Sequence, residues 1–245
     1  MFGYAGKILR INLTTKEVKV EPLDEKEAKK FIGGRGLGTK IFYDEVSPKV
    51  DALSEENKVL FVTGPLTGTP TVTTARYMVV TKSPLSDTIA SSNSGGYWAP
   101  ELNFAGYDMV IVEGKAENPS YIMIENDKVE IRDAAHIWGK VVSETTKILE
   151  KEVPEKSRVL AIGPAGEKLS KIAAVMNDVS RAAGRSGVGA VLGSKNLKAI
   201  TVRGTNKVKI ADEEGLKEAH LEMLKRIREN GVTGEGLPAY EKAGL

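Results

Sequence analysis

An internal repeat constrains the fold of this chain more than any other feature of its sequence. KVLFVTGP at 58–65 resembles RVLAIGP at 158–164, and GYDMVIVEG at 106–114 resembles NLKAITVRG at 196–204, in the same order. The distance along the chain between the repeated segments is too long for a solenoid and suits the duplication of a half-domain. The shared order favours duplication, and chance likeness between strand–turn units remains the alternative.

Each half also contains one segment of small residues. Counting back from the closing glycines, Gly114 and Gly204, places Asn93 of SSNSGGY opposite Ala183 of RAAGRSG. We expect both segments to be loops between strands. Such loops expose backbone N–H groups to an anion, and their carbonyls can bind a hard cation such as Mg²⁺. Tight turns without a ligand would explain most of the glycines equally well.

Three arginines favour the ligand interpretation. Arg181 and Arg185 flank the turn in the second small-residue segment. The stretch from Arg181 to Gly193 contains four glycines and is expected to lead at once into an apolar strand. Guanidinium groups beside such a turn favour phosphate or carboxylate contacts, with solvated arginines as the alternative. Arg76 begins another apolar strand, where burial would require a partner and an ion pair is the simplest one.

The remaining sequence alternates between strands and helices. The opening 7–23 predicts a hairpin, and a helix capped by Asp24 should break at Gly33-Gly34. Continuous apolar runs such as VLFV and MVIV predict strands covered on both faces. A helix is expected from about 141 to 152 with Ser143 as its cap. After Lys209 an amphipathic helix begins, so we divide the chain into domains at 1–210 and 211–245.

Composition excludes several classes of function. The chain has 35 basic and 33 acidic residues, and its net charge of +2 gives no general reason to bind nucleic acid or a membrane. There is no cysteine, so the chain offers no thiolate to zinc or to an iron–sulfur cluster. We expect a cytoplasmic protein, since no signal peptide or membrane span is evident. Abundant lysine and glutamate without glutamine suggest a heat-loving source.

Other candidate sites are weaker. GGRGLG at 33–38 superficially matches a dinucleotide-binding motif, but it lies between helices instead of after a strand. His136 and His220 are too few and too far apart in sequence for a metal site. Tyr97 and Trp98 beside a glycine pair could line a ring-shaped ligand, although aromatic residues more often belong to the core.

The ordered motifs resemble the N-terminal domain of the tungsten-containing aldehyde:ferredoxin oxidoreductases. The resemblance runs from residue 1 to about 210 and is carried by YAGKILRINLTT, FIGGRGLG, TGPLTGT, SNSGGY, FAGYDMVIVEGKA, RVLAIGPAGE and RAAGRSGVGAVLGSKNLKAI. It implies an α+β fold of two β-sheets with helices, related by a pseudo-twofold axis. This agrees with the internal repeat.

The resemblance also implies a tungsten (or molybdenum) bis-pterin cofactor whose phosphates are joined by Mg²⁺. It places the main-chain oxygens of Asn93 and Ala183 on the magnesium ion, and Arg76 between a pterin and a [4Fe–4S] cluster. No catalytic residue is implied within this chain. The cofactor-binding positions implied are Arg76, Asn93, Gly95, Ala182, Ala183, Gly184 and Arg185.

In the family, further helical domains supply the cluster's cysteines and the aldehyde channel, so we expect this chain to be a fragment that holds cofactor weakly and tends to associate. The expected partners are an aldehyde, ferredoxin, the missing domains or a second chain carrying them, and a second copy of this chain. A non-catalytic scaffold or partner subunit with the same fold is one alternative. A phosphate-binding module without metal is another.

Overall fold

Two six-stranded mixed sheets form the framework of the chain, in a computed structural model that describes residues 1–242. The strands of the first sheet are β1 (Lys7–Asn12), β2 (Val18–Pro22), β3 (Val59–Val62), β4 (Tyr77–Lys82), β5 (Ile89–Ser94) and β6 (Met109–Glu113). Those of the second are β7 (Ser120–Glu125), β8 (Lys128–Asp133), β9 (Arg158–Ala161), β10 (Val175–Asn177), β11 (Arg181–Ala183) and β12 (Leu197–Arg203).

The two sheets have the same topology. The first has the order β2-β1-β6-β3-β4-β5, and the second, read from its other edge, is β8-β7-β12-β9-β10-β11. In each sheet the first and sixth strands of the unit run parallel and every other pair is antiparallel. The α+β fold with an internal duplication is therefore confirmed. The duplication also includes the opening hairpin, which the sequence repeat had not covered.

The strand registers correct one detail of the repeat. When the cross-strand pairs are followed outward from the last strand of each unit, Ser94 corresponds to Ala183 and Asn93 to Ala182. The count from the closing glycines had placed Asn93 opposite Ala183. It fails because the connection from the edge strand to the last strand is one residue longer in the second half.

Helices cover the outer faces of the sheets and fill the space between them. A shared core between the sheets contains side chains from α3 and α6, which occupy equivalent places in the two halves. Separate apolar clusters lie between α1, α2 and the first sheet, and between α4 and the second. The helices are α1 (Glu25–Phe31), α2 (Gly34–Glu45), α3 (Trp98–Phe104), α4 (Val142–Glu152), α5 (Pro164–Glu167), α6 (Val188–Ser194), α7 (Glu213–Glu229) and α8 (Leu237–Lys242).

Trp98 links the two sheets at the centre of the molecule. Its ring is fully buried, with centroids 5.6 Å from Phe61 and 5.2 Å from Tyr77. Its indole N–H donates to the main-chain oxygen of Ile200 in the other sheet at 3.1 Å. The expectation that Trp98 is a core residue is confirmed, because a buried indole needs one partner and finds it here.

Several local predictions hold and others do not. Asp24 caps α1 by accepting from the amides of Lys26 and Glu27, and the chain breaks before α2 as expected. Ser143 is not a cap: it lies inside α4, whose N-cap position is Val141. No side chain caps the start of α4, and the helix is stabilised instead by burial, with Leu149 packed in the apolar cluster of the second sheet.

The small-residue segments are not simple loops. Ser91 to Ser94 belong to β5 and Arg181 to Ala183 to β11, so both segments begin as edge strands and only then turn. The second does not return at once to a strand, since α6 intervenes. Helices α3 and α6 were missed because they are largely or wholly buried and lack an amphipathic period. Within the described residues, no helix is both long and apolar enough to cross a membrane.

Candidate functional site

The edges of the two sheets meet at a seam, and a cavity of about 480 Å³ opens there. The seam is formed by β5 of the first half and β11 of the second, the two equivalent edge strands. Residues of both halves line the cavity. They are Thr73, Ala75, Arg76, Ser94, Gly95, Gly96, Tyr97, Ser180, Arg181 and Ala182.

Arg76 and Asn93 form the first half's side of the site. The Arg76 Nη1 donates to Asn93 Oδ1 at 2.7 Å, and the Asn93 amide nitrogen lies 3.4 Å from the main-chain oxygen of Tyr77. Gly95 lies against the Arg76 side chain, where an added Cβ would be 3.7 Å from the guanidinium carbon. The glycine therefore leaves the face of the guanidinium accessible from the cavity.

The second half contributes β11 and the turn that follows it. Ala182 lines the cavity, whereas Ala183 is fully buried in the shared core. Gly184 and Arg185 are exposed beyond the end of the strand. The Arg185 amide donates to Ser92 Oγ at 3.1 Å, which ties this turn to β5.

Charge at the seam is unbalanced. Among the described residues, no carboxylate lies within 4.0 Å of the guanidinium groups of Arg76, Arg181 or Arg185. Arg76 is exposed, so the ion pair considered from sequence is not needed and is not found. Guanidinium groups without acidic partners beside an open cavity are suited to bind an anion from outside.

A second cavity, of about 620 Å³, lies next to the seam and is mainly apolar. It extends from Gly33-Gly34 at the start of α2 to Leu216, Ala219 and Met223 on α7. Thr73 and Arg76 border both cavities, so Arg76 separates a polar space from an apolar one.

Sequence reasoning missed part of the seam. Gly96 and the pair Asn177–Asp178 were not among the predicted binding residues, although Asn177 and Asp178 contact the turn at 95–97. Tyr97, which the sequence analysis considered as a residue lining a ring-shaped ligand, does line the cavity. The glycine pair Gly95-Gly96 was a signal for Gly96 that the sequence already contained. Nothing in the sequence around 177 indicated that its side chains reach across to the other half.

The Tyr77 phenol is a buried titratable group beside the seam. Burial raises the pKa of the Tyr77 phenol, which stays protonated while its oxygen accepts from Asn177 Nδ2 at 2.9 Å. His136 lies elsewhere, with Nε2 3.2 Å from a carboxylate oxygen of Glu152. Across residues 1–242 there is no cluster of three histidine, cysteine or acidic side chains arranged for a metal ion.

Comparison with known families agrees with this geometry. The family model described as "Aldehyde ferredoxin oxidoreductase, N-terminal domain" matches residues 8–204, which include both sheets and the seam. The chain belongs to the aldehyde ferredoxin oxidoreductase family. The resemblance noted from the sequence motifs is thereby confirmed.

Curated relatives in this family are oxidoreductases by name. A tungsten-containing aldehyde ferredoxin oxidoreductase of Pyrococcus horikoshii is 54% identical over all of this chain, which spans 40% of that protein. The aliphatic sulfonate oxidoreductase WOR-like subunit of Pyrococcus furiosus is 42% identical over 93% of the chain, which spans 39% of the subunit. The chain thus spans about two fifths of the length of these relatives. Pyrococcus relatives also agree with the heat-loving source suggested by composition.

A solved structure supports the fold. The active site complex BamBC of benzoyl coenzyme A reductase, in complex with 1,5-dienoyl-CoA, aligns with a TM-score of 0.90 and 41% identity. The alignment covers 94% of this chain and 36% of that one. The two-sheet architecture is therefore shared beyond the enzymes named for aldehydes.

Proposed function

We propose that this chain forms the cofactor-holding base of a tungsten-containing aldehyde:ferredoxin oxidoreductase. The observation that carries the proposal is the seam, where equivalent edge strands of two halves border one cavity beside arginines that have no acidic partner among the described residues. A large, doubly anionic group shared by both halves would satisfy those charges. Relatives named as tungsten-containing support a tungsten cofactor as that group.

The residues at the seam fit a bis-pterin cofactor with bridged phosphates. Arg76 offers a guanidinium group, Gly95 leaves space beside it, and Ala182 adds little bulk from the other half. The residues that would hold the cofactor are Arg76, Asn93, Gly95, Ala182, Ala183, Gly184 and Arg185. When bound, the metal–pterin group would supply the redox chemistry that converts an aldehyde and water to a carboxylic acid.

Magnesium would bind the main-chain oxygens of Asn93 and Ala183. Because the registers match Ala183 with Ser94, these two carbonyls do not occupy equivalent positions of the duplication. We therefore propose an unsymmetrical magnesium site, with its two protein ligands displaced by one residue relative to the pseudo-twofold axis.

The rest of the reaction would depend on groups outside this chain. Electrons would pass through a [4Fe–4S] cluster to ferredoxin, and the cluster's ligands must come from elsewhere because this sequence has no cysteine. We propose that a second domain begins near residue 211, where α7 follows the last strand. Residues 243–245 of that proposed domain lie outside the described residues. We also propose that the chain pairs with a second copy of itself.

Anion binding at the seam can be tested on the chain directly. We choose magnesium pyrophosphate as the probe, titrated by calorimetry against the wild type and the variants Arg76→Gln and Arg181→Gln. Each variant should bind about tenfold more weakly or worse, since a charge-assisted hydrogen bond is worth roughly 1.5–3 kcal/mol. Arg228→Gln, an exposed arginine on α7, is the matched control. Equal affinity in all four proteins would refute the proposed site.

Cofactor retention is a separate measurement. The chain purified from cells grown with tungstate would be assayed for tungsten, molybdenum and magnesium by mass spectrometry, and for pterin by the fluorescence of its oxidised form. We expect much less than one metal per chain, because the chain spans only about two fifths of the length of the tungsten-containing relatives. Stoichiometric metal together with aldehyde oxidation would show that this chain needs no other domain.

A second candidate is a non-catalytic partner subunit. Assembly with a second chain, which this candidate requires, is supported by the relative named as a WOR-like subunit and by a structural neighbour that is a complex. Co-purification of the native protein with a separate cysteine-containing chain would favour this candidate over the base of a single-chain enzyme.

A further inference from the structure

Asn177 breaks the duplication at a buried position. The strand registers match it with Val79 of the first half, and both side chains are fully buried. One half therefore places an amide in the shared core where the other half places an apolar side chain. A buried amide is costly unless its hydrogen bonds are satisfied, so its presence here needs a reason.

The amide of Asn177 reaches across the seam. Its Nδ2 donates to the Tyr77 hydroxyl at 2.9 Å and to Ser94 Oγ at 3.1 Å, both in the first half. Its Oδ1 has no hydrogen-bond partner among the described residues and faces Gly96, where any Cβ would overlap it. The contacted residues are chain neighbours of Arg76, Asn93 and Gly95, the residues on the first half's side of the site.

Asp178 extends the same contact to the turn. Its carboxylate accepts from the Tyr97 amide, and one of its oxygens lies 3.8 Å from Arg158 Nη1. The Arg158 guanidinium in turn lies 4.7 Å from the centre of the exposed Tyr97 ring. The Gly95-Gly96-Tyr97 turn is thus contacted by Asn177 at Gly96 and at the preceding Ser94, and by Asp178 and Arg158 at Tyr97.

We propose that Asn177 and Asp178 are positioning residues: the second half uses them to hold the Gly95–Tyr97 turn of the first half in the shape that receives the anion. The inference rests on the proposed function, because the shape matters only if the seam binds a ligand. It explains why the costly amide lies on one side of the duplication only. It also explains why residue 96 is glycine.

Hydrogen exchange of the Tyr97 amide, measured on the intact chain, tests the holding contact without any ligand. Asp178→Ala should raise that exchange rate at least tenfold, because the acceptor is lost. Asp178→Asn keeps an acceptor oxygen and should restore protection. Asn177→Val, which installs the residue type found at the equivalent position, should raise exchange across 94–97.

The control for Asn177→Val is Asn57→Val. Asn57 is also fully buried and donates from Nδ2 to Ala52 O at 2.7 Å and to Thr81 Oγ1 at 3.1 Å, away from the seam. Both valine variants should lose stability, but only Asn177→Val and Asp178→Ala should weaken magnesium pyrophosphate binding, by at least fivefold. A role in stability alone would make the two valine variants behave alike.

The outcomes separate this inference from the proposed function. Unchanged Tyr97 exchange in Asp178→Ala and Asn177→Val overturns the positioning role, whether or not the probe binds. Faster exchange with unchanged probe affinity overturns it as well. If the wild type protects the Tyr97 amide but binds no probe, the proposed anion site fails, while loss of protection in the variants still establishes the holding contact.

Discussion

At the residue scale, Gly96 occupies a position that no other residue type would fit. Its φ of +97° is unfavourable for a side chain, and a Cβ would overlap Asn177 Oδ1 and Asp178 Oδ2. Two independent costs therefore act at one site. They can be separated by comparison with another glycine that has a similar φ but open surroundings.

We predict that Gly96→Ala lowers the free energy of unfolding by about 2–4 kcal/mol and abolishes magnesium pyrophosphate binding, since backbone strain and overlap add. Gly6→Ala is the control, because Gly6 has φ +82° with nothing within 4 Å of an added Cβ. It should cost only about 1–2 kcal/mol. Urea unfolding would measure both, and equal losses would show that overlap with Asn177 contributes nothing.

A second residue-scale prediction concerns Lys195, whose side chain is fully buried and donates to the main-chain oxygens of Gly114 at 2.8 Å and Glu55 at 3.1 Å. Burial lowers the pKa of Lys195 to about 8. Between about pH 8 and the ordinary lysine pKa of 10.5, the unfolded chain binds more protons than the native state, because Lys195 is still protonated only when it is unfolded. The free energy of unfolding should therefore rise with pH in this window.

The size of this effect is on the order of 3 kcal/mol if the whole shift is expressed. It would be measured as the difference in unfolding free energy between the wild type and Lys195→Met, at pH values from 7.5 to 10.5. We expect that difference to grow in favour of the wild type as the pH rises. Parallel pH curves for the two proteins would contradict the assignment.

At the element scale, α1 and α7 begin with the same type of cap but differ in packing. Asp24 caps α1, which buries Ala28, whereas Asp212 caps α7, which buries none of its residues. Helix stability in a folded protein comes mainly from such packing. The two caps should therefore have different effects on the whole molecule.

We predict that Asp24→Ala lowers the free energy of unfolding by about 1 kcal/mol, the usual value for losing an aspartate cap. Asp212→Ala should leave the main unfolding transition unchanged and speed amide exchange only within 213–229. Calorimetry and hydrogen exchange on both variants would measure this. An equal drop in melting temperature would mean that α7 is coupled to the sheets more tightly than its exposure indicates.

At the scale of the whole molecule, the two halves share one core. The inner faces of both sheets and the side chains of α3 and α6 form a single apolar cluster, with Trp98 donating across it. Burying one large apolar side chain contributes roughly 1.5–3 kcal/mol, against a typical net stability of roughly 5–15 kcal/mol. The free-energy cost of exposing one inner face would therefore exceed the net stability of the fold.

We accordingly predict that residues 1–117 do not fold when produced alone. Mixing them with 118–245 should restore the near-ultraviolet circular dichroism of buried Trp98. The intact chain should unfold in one transition, with equal calorimetric and van't Hoff enthalpies. Cooperative melting of 1–117 by itself would show that the duplicated unit is an independent domain.

The sequence by itself determined most of the strands, the capped helix at Asp24 and the duplication, because these depend on local periodicity and on repeated segments, but it took the edge strands β5 and β11 for loops. It also identified the family and the two small-residue segments. It misjudged α3 and α6, since helices buried nearly all round carry no amphipathic signal. It was one residue off in matching the edge strands.

Only the tertiary structure decided which residues meet at the seam. Asn177 contacts a tyrosine 100 positions earlier in the chain, and Arg185 contacts a serine 93 positions earlier. The sequence shows no pattern for such contacts because each depends on how two sheets pack and on which side chains face inward. The physical reason is that strand periodicity is a local property, whereas the cavity exists only where two folded halves meet.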